Sequence, residues 1–95
     1  MSSVVYPVII KFNPSNVPYP YFAEIPAVDG FTEGKTFDDA LRMAEDYIGM
    51  LSLGKKEMPP SQYVSPKVER DEVAILASVD LTDYKQDHLA LFGSL

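Results

Sequence analysis

The sequence contains no cysteine and no tryptophan. Without cysteine there can be no disulfide, no thiolate zinc site and no thiol nucleophile, a composition that suits a reducing compartment. There is one histidine, His88, near the C-terminus. A Ser-His-Asp triad would have to be assembled around that terminal segment, so His88 reads as solvated rather than catalytic. The opening MSSVVYPVIIKF has no basic residues before its apolar run, no small-residue cleavage site, and both a proline and a lysine. It does not read as a signal peptide. No apolar run approaches the ~20 residues that span a bilayer, so a cytoplasmic location and no membrane partner are expected. Basic residues are scarce: Lys and Arg number 8 against 14 Asp and Glu, for a formal charge of −6 and a pI near 4.5. Such a surface repels phosphate backbones, which argues against direct nucleic-acid binding. A basic partner, or solubility alone, fits the sign.

What is present points to one folded domain. A chain of 95 residues, 46% of them hydrophobic, is long enough for one core and too short for two. The domain is expected to span 1–95, with a core at about 4–84 and a short tail at 85–95. From Val4 to Phe12, Tyr6, Val8, Ile10 and Phe12 alternate with Val5, Pro7, Ile9 and Lys11, which predicts a strand. Pro7 cannot donate to a ladder, so it should lie near the strand start or face an unpaired side. The turn-forming run NPSNVPYP leads to a second strand, Tyr21 to Ile25, with Tyr21, Ala23 and Ile25 on one face and Phe22 and Glu24 on the other. After the turn PAVDG a short third strand passes through Phe31 and Thr32, completing an antiparallel meander.

Phe37, Ala40, Leu41, Ala44, Ile48 and Leu51 then step by three and four, the spacing of one helix face. Thr36 is a suitable N-cap, and Asp39 occupies the third helical position, where a capping box carries its acid. Gly54 reads as a left-handed C-cap followed by Lys55 and Lys56 at the negative end of the dipole. A polar loop from Lys55 to Arg70 precedes a fourth strand, about Glu72 to Leu81, and DHLALF carries a half-turn in the tail. The architecture is therefore α+β, in the order βββαβ, with one amphipathic helix packed on an antiparallel meander.

The run DGFTEGKT, residues 29–36, ends like the phosphate-binding loop G-x-x-x-x-G-K-[ST]. The first glycine of that pattern would fall at Asp29, and Asp38 and Asp39 already occupy the helix start where phosphate charge would sit. The structural reading is that Gly30 and Gly34 supply special backbone angles at a turn and a corner, and that Thr36 caps the helix. The acids Asp38, Asp39, Glu45 and Asp46 read as a solvated helix face, and Asp80, Asp83 and Asp87 lack the loop geometry of a calcium site. Tyr19, Tyr21 and Phe22 could stack bases, but no Lys or Arg interleaves with them. No catalytic, metal or cofactor site is expected.

The run YFAEIPAVDGFTEGKTFDDALRMAEDYIG resembles the N-terminal domain of HicB-like antitoxins. It matches at Tyr21, Pro26, Gly30, Thr32, Gly34, Thr36, Asp38, Asp39, Ala40, Leu41 and Ala44. MPPS, Met58 to Ser61, resembles the family's Ile-Pro-x-Pro-Ser loop, and VDLTDY, Val79 to Tyr84, the end of its last strand. The resemblance implies a partial ribonuclease-H-like fold. Ribonuclease-H chemistry needs a first-strand carboxylate to hold magnesium, and Val4 to Phe12 has none. The implied function is binding and masking a small basic HicA-type toxin that cleaves messenger RNA, with self-association of the antitoxin and no catalysis of its own. A separate DNA-binding domain, which many members carry, is not expected. The alternative is an orphan HicB-like protein serving as an RNA-binding or homo-oligomeric interaction module. Candidate partner-binding residues are Tyr21, Phe22, Glu24 and Asp29, together with Asp38, Asp39, Arg42, Glu45 and Asp46 on the helix. Pro26, Gly30, Gly34, Thr36 and Gly54 are assigned to turns and caps.

Overall fold

A computed structural model describes residues 3–54 and 57–81. Strand β1 covers Ser3–Phe12, β2 Tyr21–Ile25 and β3 Gly30–Gly34; helix α1 covers Phe37–Gly54 and β4 covers Glu72–Asp80. The turn PAVDG contains one 3-10 turn, Pro26–Val28. The four predicted strands and the helix are found, with ends shifted by a residue or two. The sheet order is β3-β2-β1-β4, and every neighbouring pair is antiparallel. The expected half-turn in DHLALF, together with Lys55, Lys56, Asp83, Tyr84, Asp87 and His88, lies outside the described residues.

The alternation in each strand sorts side chains onto two faces. Tyr6, Val8 and Ile10 of β1 share a face with Ala23 and Ile25 of β2 and with Ala77 and Val79 of β4, and α1 covers that face with Ala40, Ala44 and Ile48. These ten residues are the buried core, with Phe37, Leu41 and Tyr47 of the helix packed at its margin. The helix therefore buries the stripe that its 3.6-residue period marks.

Pro7 sits in the middle of β1, not near its start, yet costs the sheet no ladder bond. Pairing of β1 with β2 covers only Ile9 to Phe12. Beyond it, the Val5 amide donates to Ser61 Oγ (2.9 Å) and the Val5 carbonyl accepts from the Gln62 amide (2.8 Å). Alternation points the Pro7 nitrogen to the same side, away from β4, where no β2 residue is paired to it. The same loop takes the fully buried Tyr6, whose hydroxyl donates to the Pro59 carbonyl at 2.6 Å. Burial raises the Tyr6 pKa above its ordinary value. Residues Pro59, Ser61 and Gln62 thus supply hydrogen-bond partners to β1 where β2 does not reach.

The glycines act differently from the expectation. Neither Gly30 nor Gly34 has a positive φ; the left-handed residue of this region is Asp29, at φ 53° and ψ 41°. Asp is among the few residues that tolerate that region, and proline, with φ held near −65°, cannot enter it. Gly30 and Gly34 are needed for proximity instead. A Cβ on Gly30 would lie 2.5 Å from the Tyr47 ring, and one on Gly34 would lie 2.3 Å from the Ala40 nitrogen. Four strand residues span about 13 Å and seven helix residues about 10.5 Å. Ala40 and Tyr47 can therefore sit over Gly34 and Gly30 together as the helix runs back along β3. Gly54 is also reassigned: it is the last helical residue with no positive φ, because the helix continues through it. No neighbour requires a glycine there.

Candidate interaction surface

The corner between β3 and α1 answers the question raised by GKT. Gly30–Gly34 is a sheet strand rather than a phosphate-wrapping loop. At the helix start, Thr36 Oγ1 accepts from the Asp39 amide at 3.0 Å. Asp39 Oδ2 accepts from the Lys35 amide at 2.9 Å, and its Oδ1 accepts from Arg42 Nη2 at 2.7 Å. The short aspartate arm reaches the amide before the cap instead of the cap's own amide, a variant of the capping box. In the shallow recess lined by Lys35, Thr36, Asp38, Asp39 and Arg42, the Thr36 hydroxyl and both Asp39 carboxylate oxygens are thus already engaged in hydrogen bonds.

The Lys35 amide, and after it the Arg42 guanidinium, hold the Asp39 carboxyl below its usual pKa. The unfolded chain binds this proton more readily than the folded one. The stabilisation is present above the ordinary carboxylate pKa of about 3.9 and is lost as pH falls through the lower folded-state value. Thr36→Ala should cost about 1 kcal/mol in urea unfolding at neutral pH. Asp39→Asn should flatten the fall of stability below pH 4. A Thr36→Ala protein as stable as the parent would show that this cap does not hold the helix.

The candidate partner-binding residues divide between the two layers. Tyr21 lies on the helix-covered face, its ring 4.9 Å from Phe12 and 6.4 Å edge-on from Phe37. Phe22 and Glu24 lie on the opposite, open face of the sheet. There Phe22 stacks on Phe31 with centroids 5.2 Å apart and planes 24° apart. The register pairs Phe22 with Glu33 and Glu24 with Phe31, so two aromatic rings and two carboxylates form a checkerboard. Phe31 is 62% exposed, and Glu33 accepts a hydrogen bond from the Asn16 side-chain amide. Asp29 is exposed at the β2–β3 end of the sheet. Asp38, Arg42 and Asp46 are exposed on α1, and Asp39 and Glu45 are half-buried there. The structure therefore brings Phe22 and Glu24 together with Phe31 and Glu33, and leaves the helix acids on the other layer.

Comparison with solved structures finds the same fold in a chain of a structure described as "Toxin-Antitoxin complex from Streptococcus pneumoniae". The TM-score is 0.63 over 86% of this chain and 72% of that one, at 19% identity. The fold is shared. No family model matches the sequence, and no curated protein matches it.

Within that fold the open face presents Phe22, Glu24, Phe31 and Glu33 side by side. Among the described residues no three His, Asp or Glu side chains converge where they could hold a metal ion. Among them, too, no helix is long and apolar enough to cross a membrane. Lys11, on the open face, lies 3.8 Å from Asp71 with both side chains about half exposed, a geometry that contributes little.

Phe31 and Glu33 were absent from the residues nominated on sequence. The signal was there: a hairpin register through PAVDG pairs Glu33 with Phe22 and Phe31 with Glu24. A second set was absent as well. Met43, Tyr47 and Met50, with Thr32, Asp46 and Leu51, line an open groove of about 540 Å³ between α1 and β3. Their spacing, i, i+4 and i+7, is a helical stripe beside the core stripe.

Proposed function

We propose that this protein is a non-catalytic antitoxin of HicB-like type that binds a small basic toxin and masks the surface with which the toxin holds RNA. The observation that carries this reading is the fold shared with a chain of a toxin–antitoxin complex. The motif run from Tyr21 to Gly49, which resembles HicB-like antitoxins, agrees with it. The surface suits the task. A basic RNA-binding face attracts phosphate, and a chain of formal charge −6 competes with that phosphate and steers the encounter. The Phe22–Phe31 pair supplies the apolar anchor on which affinity depends more than on peripheral acids. Base stacking on the same pair is the less favoured use, because Glu24 and Glu33 flank the rings and would repel a nucleic-acid backbone.

The test is growth. The small basic reading frame beside this gene should arrest colony formation when expressed alone, and co-expression of this chain should restore it. A neighbouring product that is harmless, or whose toxicity this chain does not relieve, removes the antitoxin reading. The purified pair should also associate more slowly as salt rises from 50 to 500 mM, since steering is screened beyond a Debye length of ~10 Å at 0.1 M.

A further inference from the structure

We propose that the outer edge of β3, together with the groove beside it, is a docking site for an extended, basic segment of a protein partner. It rests on the antitoxin reading only in assigning that segment to the toxin. Among the described residues β3 is the last strand of its side of the sheet, so its outward amides and carbonyls form a template for one more strand. A segment laid along it would send alternate side chains to opposite faces. On the helix face they meet the groove floored by Tyr47 and walled by Met43 and Met50, which are 40% and 53% exposed. Methionines adapt to side chains of differing shape. Gly30 lets the Tyr47 ring lie close against β3, which brings the groove to the strand edge. On the other face the docked side chains meet Phe31, backed by Phe22. An incoming strand is thus received on both of its faces.

The charge selects the occupant. The segments 21–34 and 43–51 contain Glu24, Asp29, Glu33, Glu45 and Asp46 and no lysine or arginine. Of the basic residues that adjoin them, Arg42 is paired with Asp39 and Lys11, opposite Phe22, with Asp71, and Lys35 follows Gly34. Acids therefore still outnumber bases along this edge. A second copy of this chain, itself at −6, would bring like charge to the same place. A segment alternating apolar residues with Lys or Arg fits both the strand period and the charge.

The experiment titrates the isotopically labelled full chain with a blocked nine-residue peptide alternating Val and Lys, and with a Val-Glu counterpart. The Val-Lys peptide should shift amide resonances of Gly30–Gly34 and of Met43 to Leu51, and the Val-Glu peptide should not. Met43→Lys with Met50→Lys, both on exposed positions, should weaken Val-Lys binding at least ~10-fold while preserving the spectrum of a folded protein. Val73→Lys, on β4, should leave binding unchanged. Unaltered affinity in the Met43→Lys/Met50→Lys protein overturns the proposal, as do equal binding of the Val-Glu peptide and shifts confined to β4. Concentration-dependent shifts of Gly30–Gly34 without peptide would assign the edge to a second copy and overturn it too. The growth assay separates the two ideas. Rescue lost in the Met43→Lys/Met50→Lys protein but kept in Val73→Lys supports the docking edge. Rescue kept in both overturns it and leaves the antitoxin reading intact. Wild-type failure to rescue removes that reading alone.

Discussion

Gly34→Ala is expected to destabilise the protein by about 3 kcal/mol, the upper end of the usual cost of overpacking. A methyl at this position would sit 2.3 Å from the Ala40 nitrogen, 2.6 Å from its Cα and 2.9 Å from its Cβ. Two of these three neighbours are helix backbone, which cannot rotate away. The whole first turn of α1 must lift from β3, which also disturbs the edge-on contact of Phe37 with Tyr21. Gly30→Ala meets only the Tyr47 ring, at 2.5 Å, and a ring at the edge of the core can swing outward, so about 1 kcal/mol is expected there. Against a total stability of roughly 5–10 kcal/mol, the first change removes about a third or more. It should lower the melting temperature by roughly 12–24 °C in a domain of this size. Thermal unfolding of the two variants side by side checks the ranking. Truncating Ala40 to glycine should recover little of the Gly34→Ala loss, because the nearest contact is with the main chain. A Gly34→Ala protein that melts within a few degrees of the parent would mean that α1 is not seated on β3 at this distance.

The two glycines also show where reading the sequence stopped. Local periodicity was sufficient for the elements: Tyr6, Val8 and Ile10 mark a strand, Ala40, Leu41, Ala44 and Ile48 a helix, and Thr36 its start. All of these depend on neighbours within one or two turns. A glycine declares only that a Cβ is missing. Whether the reason is a left-handed φ or a close neighbour depends on what packs against it, and at Gly30 and Gly34 the neighbours come from α1. The left-handed angle fell to Asp29 instead. The same limit applies to Tyr21 and Phe22. Alternation puts them on opposite faces, but only the docking of α1 decides that Tyr21 is covered and Phe22 is open. The place of β4 beside β1, and hence the outer position of β3, depended on a loop from Lys55 to Arg70 that has no period to read. MPPS could be noticed as a motif. Its use, taking the Tyr6 hydroxyl and the Val5 amide while the adjoining Gln62 takes the Val5 carbonyl where β2 has ended, is a long-range fact of the fold.

Phe22→Ala with Phe31→Ala is expected to remove partner binding while the fold survives, the reverse of the Gly34 result. Phe31 is 62% exposed and Phe22 half-buried on the open face, so truncation leaves the core of Tyr6, Ile25 and Ile48 untouched. The stacked pair contributes about 1 kcal/mol to stability. At a protein interface the same rings become desolvated anchors, where truncation costs about 3 kcal/mol, a loss of more than 100-fold in affinity. Exposed carboxylates contribute less: Glu24→Gln with Glu33→Gln should slow association and weaken its salt dependence, with little change in the dissociation rate. Binding kinetics of the purified protein with the proposed toxin, with urea unfolding as the control, separate these contributions. The doubly truncated protein should fail to rescue growth although it remains folded. Full rescue by that protein would move the contact off the open face of the sheet, leaving the groove side of β3 and the acids of α1 to carry it. Full rescue by the charge variant together with failure of the aromatic one would place the affinity in the rings. The acidity of the chain would then act on the encounter rather than on the complex, because unlike an apolar contact the steering force acts before water leaves the interface.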